Sequence, residues 1–164
     1  LKSLRDHVSD LIDNDVRLTT IGNIESLPIE VQKQLKADIE RTKNNKKMVL
    51  NLALSYSGRW EILEAIKQIA DSSIRGKIKS DEIDEKLVSS FLTTKDIPDP
   101  DLVIRTSGEF RVSNFLLWQI AYSEFIITET LWPDFSKFDL YDTIKIFQKR
   151  ERRFGKVSEQ IKKN

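Results

Sequence analysis

Arg105, Arg111 and Ser113 stand close together in a stretch, Asp101 to Phe135, that holds the residue types needed to grip an anion. Guanidinium forks match phosphate oxygens two at a time, and a hydroxyl adds a neutral donor. Gly108 lets the backbone turn tightly and approach a ligand. Arg105 closes a short apolar run, Leu102-Val103-Ile104, that predicts a strand. Ligands of open α/β sheets gather at that carboxyl end of the strands. The apolar residues after Ser113 predict a helix over 114–122, whose first N–H groups would face the same place. Glu124 follows, and a carboxylate beside a polyphosphate is a common way to hold Mg²⁺. Plainer alternatives exist: Arg105 paired with Glu109 or Asp101 as a surface ion pair, and Glu124 facing solvent.

These residues need elements to position them. Leu1, Leu4, Val8, Leu11 and Ile12 recur at helical spacing, which predicts a helix over 1–14. Val16–Gly22 alternates and predicts a strand. A helix is expected to start at Ser26 with Pro28 and Glu30 behind it, to carry Val31, Leu35 and Ile39 on one face, and to fade at Asn44-Asn45. Met48–Leu54 is nearly continuous in apolar residues, the pattern of a strand covered on both faces. Ser55-Tyr-Ser-Gly58 turns into a helix with Trp60, Leu63, Ile66 and Ile69 as its expected apolar stripe. Ser80 is expected to cap a short helix ending near Phe91. Ile97-Pro-Asp-Pro100 is a rigid connector into the strand at Asp101–Thr106. A strand over Glu124–Glu129 and a break at Trp132-Pro133 come next. Asp139 is expected to cap a last helix with Ile144 and Phe147 inside and a basic end at Lys149 and Arg150. The order of elements is α/β: a mostly parallel open sheet with helices on both faces.

Composition narrows the chemistry. The 164 residues suit one domain, 1–164. There is no cysteine and a single histidine, His7, so thiolate chemistry, disulfides and histidine-rich metal sites are excluded. A net charge of +1 gives no global field for nucleic acid. No apolar run reaches the roughly 20 residues of a membrane helix, and a cytoplasmic protein is expected. The sequence opens on Leu1 already in a helical pattern, and its only methionine is Met48. The expectation is a fragment whose N-terminal strands and helices lie upstream.

With these residues in view, the sequence resembles the cis-prenyltransferases, which make undecaprenyl diphosphate in bacteria and dehydrodolichyl diphosphate in eukaryotes. The resemblance is carried by Asp101-Leu-Val-Ile-Arg-Thr-Ser-Gly-Glu, Arg111-Val-Ser-Asn-Phe-Leu-Leu-Trp-Gln, Tyr122-Ser-Glu-Phe and Leu131-Trp-Pro-Asp-Phe135. Asn51–Ile62, with its Gly-Arg-Trp, and Arg150-Glu-Arg-Arg-Phe-Gly155 add to it. It spans essentially the whole chain and the C-terminal two-thirds of a family member. The resemblance implies condensation of isopentenyl diphosphate with an allylic diphosphate such as farnesyl diphosphate, giving a cis-polyprenyl diphosphate of the kind used as a cell-wall lipid carrier. It further implies that Arg105, Arg111 and Ser113 bind the diphosphate of isopentenyl diphosphate, and that Glu124 takes part in Mg²⁺ binding. It implies a homodimer in which Arg153 and Gly155, with Arg152 beside them, reach the partner's diphosphate, and membrane contact through the lipid product.

Three positions depart from the family pattern: Ser55 and Ser57 in place of Asn and Gly, and Phe110 where His or Gln is common. The family's Asp-Gly-Asn-Gly-Arg block, with its catalytic aspartate, is absent from the sequence, so no catalytic residue is assigned and the chain alone is expected to be inactive. The competing readings are a non-catalytic partner subunit of a heteromeric prenyltransferase and, with less support, a nucleic-acid-binding module using the basic tail.

Overall fold

The computed structural model describes residues 2–150, and their side chains from His7 onward. The chain divides into two compact units, Leu1–Ile97 and Pro98–Asn164.

In the first unit the order is α1 (Lys2–Asp13), β1 (Val16–Ile21), α2 (Ile29–Thr42), β2 (Met48–Ala53), α3 (Gly58–Ile74) and α4 (Glu85–Phe91). β1 and β2 pair in parallel from Val16 opposite Met48 to Ile21 opposite Ala53. The connection runs through α2, as a parallel pair requires. The core gathers Val8, Leu18 and Leu35, all essentially without exposure. Side chains satisfy part of the β1 backbone: Leu18 N donates to Thr42 Oγ1 at 3.0 Å, and Asn45 Nδ2 donates to Val16 O at 2.8 Å. A strand flanked in this way offers fewer free groups for unwanted pairing.

Several local expectations are corrected. α2 starts after Pro28, which makes no side-chain cap bond; Ser26 lies in a 3₁₀ turn and bonds Asn23 O and Ser55 Oγ instead. The cap of α4 is Asp84, whose Oδ1 accepts from Leu87 N at 2.7 Å, because Ser80 belongs to a separate 3₁₀ turn. Along α3 the buried stripe is Glu61, Ala65 and Ile69, while Leu63 and Ile66 are exposed. Met48, Val49 and Leu50 are exposed too, against the expectation of a strand covered on both faces; among the described strands β2 pairs only with β1.

The second unit holds β3 (Leu102–Arg105), β4 (Glu124–Ile127) and α5 (Lys137–Gln148). β3 and β4 are parallel, with Leu102 opposite Glu124 and Arg105 opposite Ile127. The α/β class and parallel strands expected from the sequence are present. All described strand pairing is parallel and comes as two pairs.

The cap of α5 is Ser136, with the expected Asp139 as its reciprocal partner. Ser136 Oγ accepts from Phe138 N at 3.2 Å, and Asp139 Oδ2 accepts from Ser136 N at 2.8 Å. The hydrogen bond from the Ser136 hydroxyl, with the one from its backbone N–H, holds the Asp139 carboxyl below its usual 3.8. A depressed carboxyl contributes stability above its unfolded value and loses it as pH falls through its folded value. Loss of the helix cap in Ser136→Ala is expected to cost about 1 kcal/mol at neutral pH, with the difference from wild type shrinking in acid as Asp139 is protonated. Urea unfolding at pH 7 and below pH 4 checks both parts. Ile144, expected inside, is exposed, and Thr143 takes the buried position on this helix.

Candidate anion site

β3 delivers Arg105 to the carboxyl end of its strand. Its carbonyl accepts from Thr128 N at 2.9 Å; beyond the strands the two segments stay bonded out of the parallel register, Ser107 N donating to Thr130 O at 3.0 Å and Gly108 N to Thr128 O at 2.9 Å. Ser107 and Gly108 both have positive φ, 67° and 65°. A Cβ on Gly108 would meet only the movable Glu129 carboxylate, so it is the positive φ of the turn that favours glycine here.

Arg105 is half-buried, and among the described residues its guanidinium makes no hydrogen bond or ion pair. Glu109, one partner considered for it, pairs with Arg111. Arg105 and Arg111 line the same cavity of about 260 Å³, closed by Val103, Val112, Phe115 and Ile120. Two guanidinium groups over an apolar wall can hold a compact dianion or polyanion away from bulk water, where charge-assisted bonds are strongest. Arg105 also borders a second cavity of about 500 Å³ next to Trp132 and Phe135, whose rings stack 6.1 Å apart.

The helix expected over 114–122 does not form. Residues 113–122 are turns, and Ser113, Asn114 and Leu116 have φ of 53°, 60° and 46°. Three left-handed residues within four positions cannot sustain a right-handed helix. The site therefore has no helix N-terminus there, and its anion-binding capacity rests on side chains. Ser113 is exposed and lies outside the lining of the 260 Å³ cavity.

Glu124 opens β4. Its Oε2 accepts from Arg150 Nη1 at 2.7 Å, and the same Nη1 donates to Phe125 O at 2.9 Å. Its Oε1 has no partner among the described residues. Those residues include no cluster of three or more His, Asp or Glu that could hold a metal. One open carboxylate oxygen fits one position of a Mg²⁺ ion that takes its other ligands from diphosphate oxygens and water. Arg152, Arg153 and Gly155 lie outside the described residues. Arg150, read from the sequence as part of a basic helix end or of a phosphate clamp, contacts Glu124 instead. The signal available for it was a cation at a helix C-terminus, which names no partner.

A family model described as "Putative undecaprenyl diphosphate synthase" matches residues 1–155. An isoprenyl transferase of Chlorobaculum tepidum is 52% identical over 164 residues, covering 100% of this chain and 62% of that protein. The chain spans less than two thirds of the length of such curated relatives. Among solved structures, lavandulyl diphosphate synthase from Lavandula x intermedia, in complex with dimethylallyl diphosphate, superposes with a TM-score of 0.90 at 38% identity, over 93% of this chain and 66% of that one. A structure described as a probable undecaprenyl diphosphate synthase from Campylobacter jejuni gives 0.81 at 35% identity, over 94% and 70%.

Proposed function

Since the chain belongs to the undecaprenyl diphosphate synthase family of prenyltransferases, we propose that it carries the isopentenyl diphosphate half of a cis-isoprenyl transferase site. The proposed reaction joins isopentenyl diphosphate to an allylic diphosphate such as farnesyl diphosphate. The allylic C–O bond breaks, the double bond of isopentenyl diphosphate attacks, a proton is lost, and the product is a longer cis-polyprenyl diphosphate. The observation that carries this reading is the half-buried Arg105, unpaired among the described residues and sharing a cavity with Arg111.

In this mechanism Arg105 and Arg111 hold the diphosphate of isopentenyl diphosphate and fix the position of its five-carbon end. Orientation of this kind accounts for a large part of the advantage of a bound reaction. Glu109 pairs with Arg111, and diphosphate oxygens would compete with that carboxylate for the guanidinium. Ser113 adds a hydroxyl donor, with Arg152, Arg153 and Gly155 serving a diphosphate in a homodimer. Glu124, together with phosphate oxygens, would hold a Mg²⁺ ion, which would supply charge compensation for the diphosphate leaving group. A cytoplasmic setting, membrane contact through the lipid product and the reading of 1–164 as part of a single domain belong to the same proposal. No helix among the described residues is long and apolar enough to cross a membrane.

The 164 residues by themselves are expected to be inactive, because the Asp-Gly-Asn-Gly-Arg block is absent from this sequence. The test is radiolabelled isopentenyl diphosphate with farnesyl diphosphate and Mg²⁺, extracted into butanol. Label is expected from the full-length protein and none above background from residues 1–164. Incorporation by residues 1–164 alone would overturn the division of labour proposed here.

A further inference from the structure

We propose that Arg150 is a positioning residue for Glu124, a built-in counter-cation that a divalent ion displaces from Oε2 on binding. The proposal rests on the reading of Glu124 given above and adds to it what holds that carboxylate when no ion is present.

Four features of the contact support this role. Arg150 follows the last turn of α5, where its N–H donates to Phe147 O at 3.0 Å, and a cation is favoured at that end of a helix. Its Nη1 is shared between the Glu124 carboxylate and the Phe125 carbonyl, so the guanidinium is anchored to β4 by backbone as well as by charge. Glu124 is in turn fixed at the first residue of β4, opposite Leu102. The side chains are 38% and 26% exposed, enough for water to screen the pair and keep it exchangeable.

A guanidinium and a divalent cation repel each other at one oxygen, because like charges a few ångströms apart in a partly desolvated place cost more than in bulk water. Arg150 therefore competes for Oε2 while leaving Oε1 as the point of entry. An arriving diphosphate gives the released guanidinium an alternative anion, which links cation loading at Glu124 to diphosphate binding.

The test uses Mn²⁺ as the probe, with free Mn²⁺ measured by electron paramagnetic resonance in the full-length protein, in the presence of inorganic diphosphate and without turnover. Arg150→Gln and Arg150→Ala are expected to bind Mn²⁺ about three- to tenfold more tightly than wild type, and Arg150→Lys to stay within about twofold of it. Arg150→Gln placed on a Glu124→Gln background is expected to gain nothing. Circular dichroism of each variant controls for loss of α5. Unchanged or weaker Mn²⁺ binding in a folded Arg150→Gln overturns this inference, and the diphosphate clamp survives that result if Arg105→Ala still weakens diphosphate. Failure of the wild type to bind Mn²⁺ with diphosphate overturns the reading of Glu124 and this inference together.

Discussion

Arg105→Ala in the full-length protein is expected to weaken isopentenyl diphosphate binding about 100-fold. A hydrogen bond to a charged group is worth about 1.5–3 kcal/mol, and each 1.4 kcal/mol is a factor of about 10; a half-buried guanidinium facing a diphosphate belongs at the upper end. Little folding stability should be lost with it, since the side chain has no hydrogen bond or ion pair among the described residues. That separation makes the experiment informative: calorimetric affinity falls while the unfolding midpoint stays close to wild type. Arg105→Lys should recover part of the affinity, because it restores the charge without the planar fork. Arg111→Ala should cost less than Arg105→Ala, since Arg111 is 63% exposed and already paired with Glu109. Unchanged affinity in Arg105→Ala would remove the clamp assignment.

The residue types of the candidate site are legible in the sequence, and its geometry is less so. Strand and helix periods located β1, β2, β3 and α5 within a few residues, and the run Leu102–Ile104 correctly placed Arg105 at a strand's carboxyl end. The segment after Ser113 misled because its apolar density suits a helix, while the backbone at Ser113, Asn114 and Leu116 turns left-handed. Of those residue types only the asparagine, Asn114, announces positive φ; Ser113 and Leu116 do not. Caps were displaced in a regular way. Ser26, Ser80 and Asp139 were all plausible first residues, yet the chain used Pro28, Asp84 and Ser136. Local capping chemistry identifies a helix start to within a turn, and tertiary packing selects the residue.

The pairing of carboxylates with guanidiniums was the least legible feature. Glu109 could have served Arg105 or Arg111, and the outcome leaves Arg105 open. Glu124 and Arg150 are separated by 26 positions and meet only because α5 packs on β4. Sequence supplies the charges; the crossover from β4 through the Trp132–Asp134 turn to α5 decides which ones touch.

Glu61 shows the same principle with a larger energetic consequence. It lies on the buried stripe of α3, 2% exposed, at a position where the helical period of that stripe would place an apolar residue. Tyr56 Oη donates to its Oε2 at 2.6 Å, Thr93 N donates to its Oε1 at 2.9 Å, and the Thr93 hydroxyl also donates to Oε1. The carboxylate thereby ties the turn after β2 to the segment that follows α4. Glu61→Ala would take this acceptor from the half-buried Tyr56 hydroxyl and from the N–H and hydroxyl of Thr93, and would open a cavity at the buried Glu61 position. Losing hydrogen bonds to a buried charged acceptor of this kind costs about 1.5–3 kcal/mol, a large share of a small unit's stability. Glu61→Gln keeps the shape and one acceptor oxygen, so a cost of about 1–2 kcal/mol is expected, and Tyr56→Phe should cost about 1 kcal/mol. Urea unfolding of the three variants should give the order Glu61→Ala, Glu61→Gln, Tyr56→Phe from most to least destabilised. A Glu61→Ala loss below about 1 kcal/mol, the range of a solvated surface pair, would mean that water reaches this carboxylate and that the turn at Ser55–Ser57 is held by its own backbone.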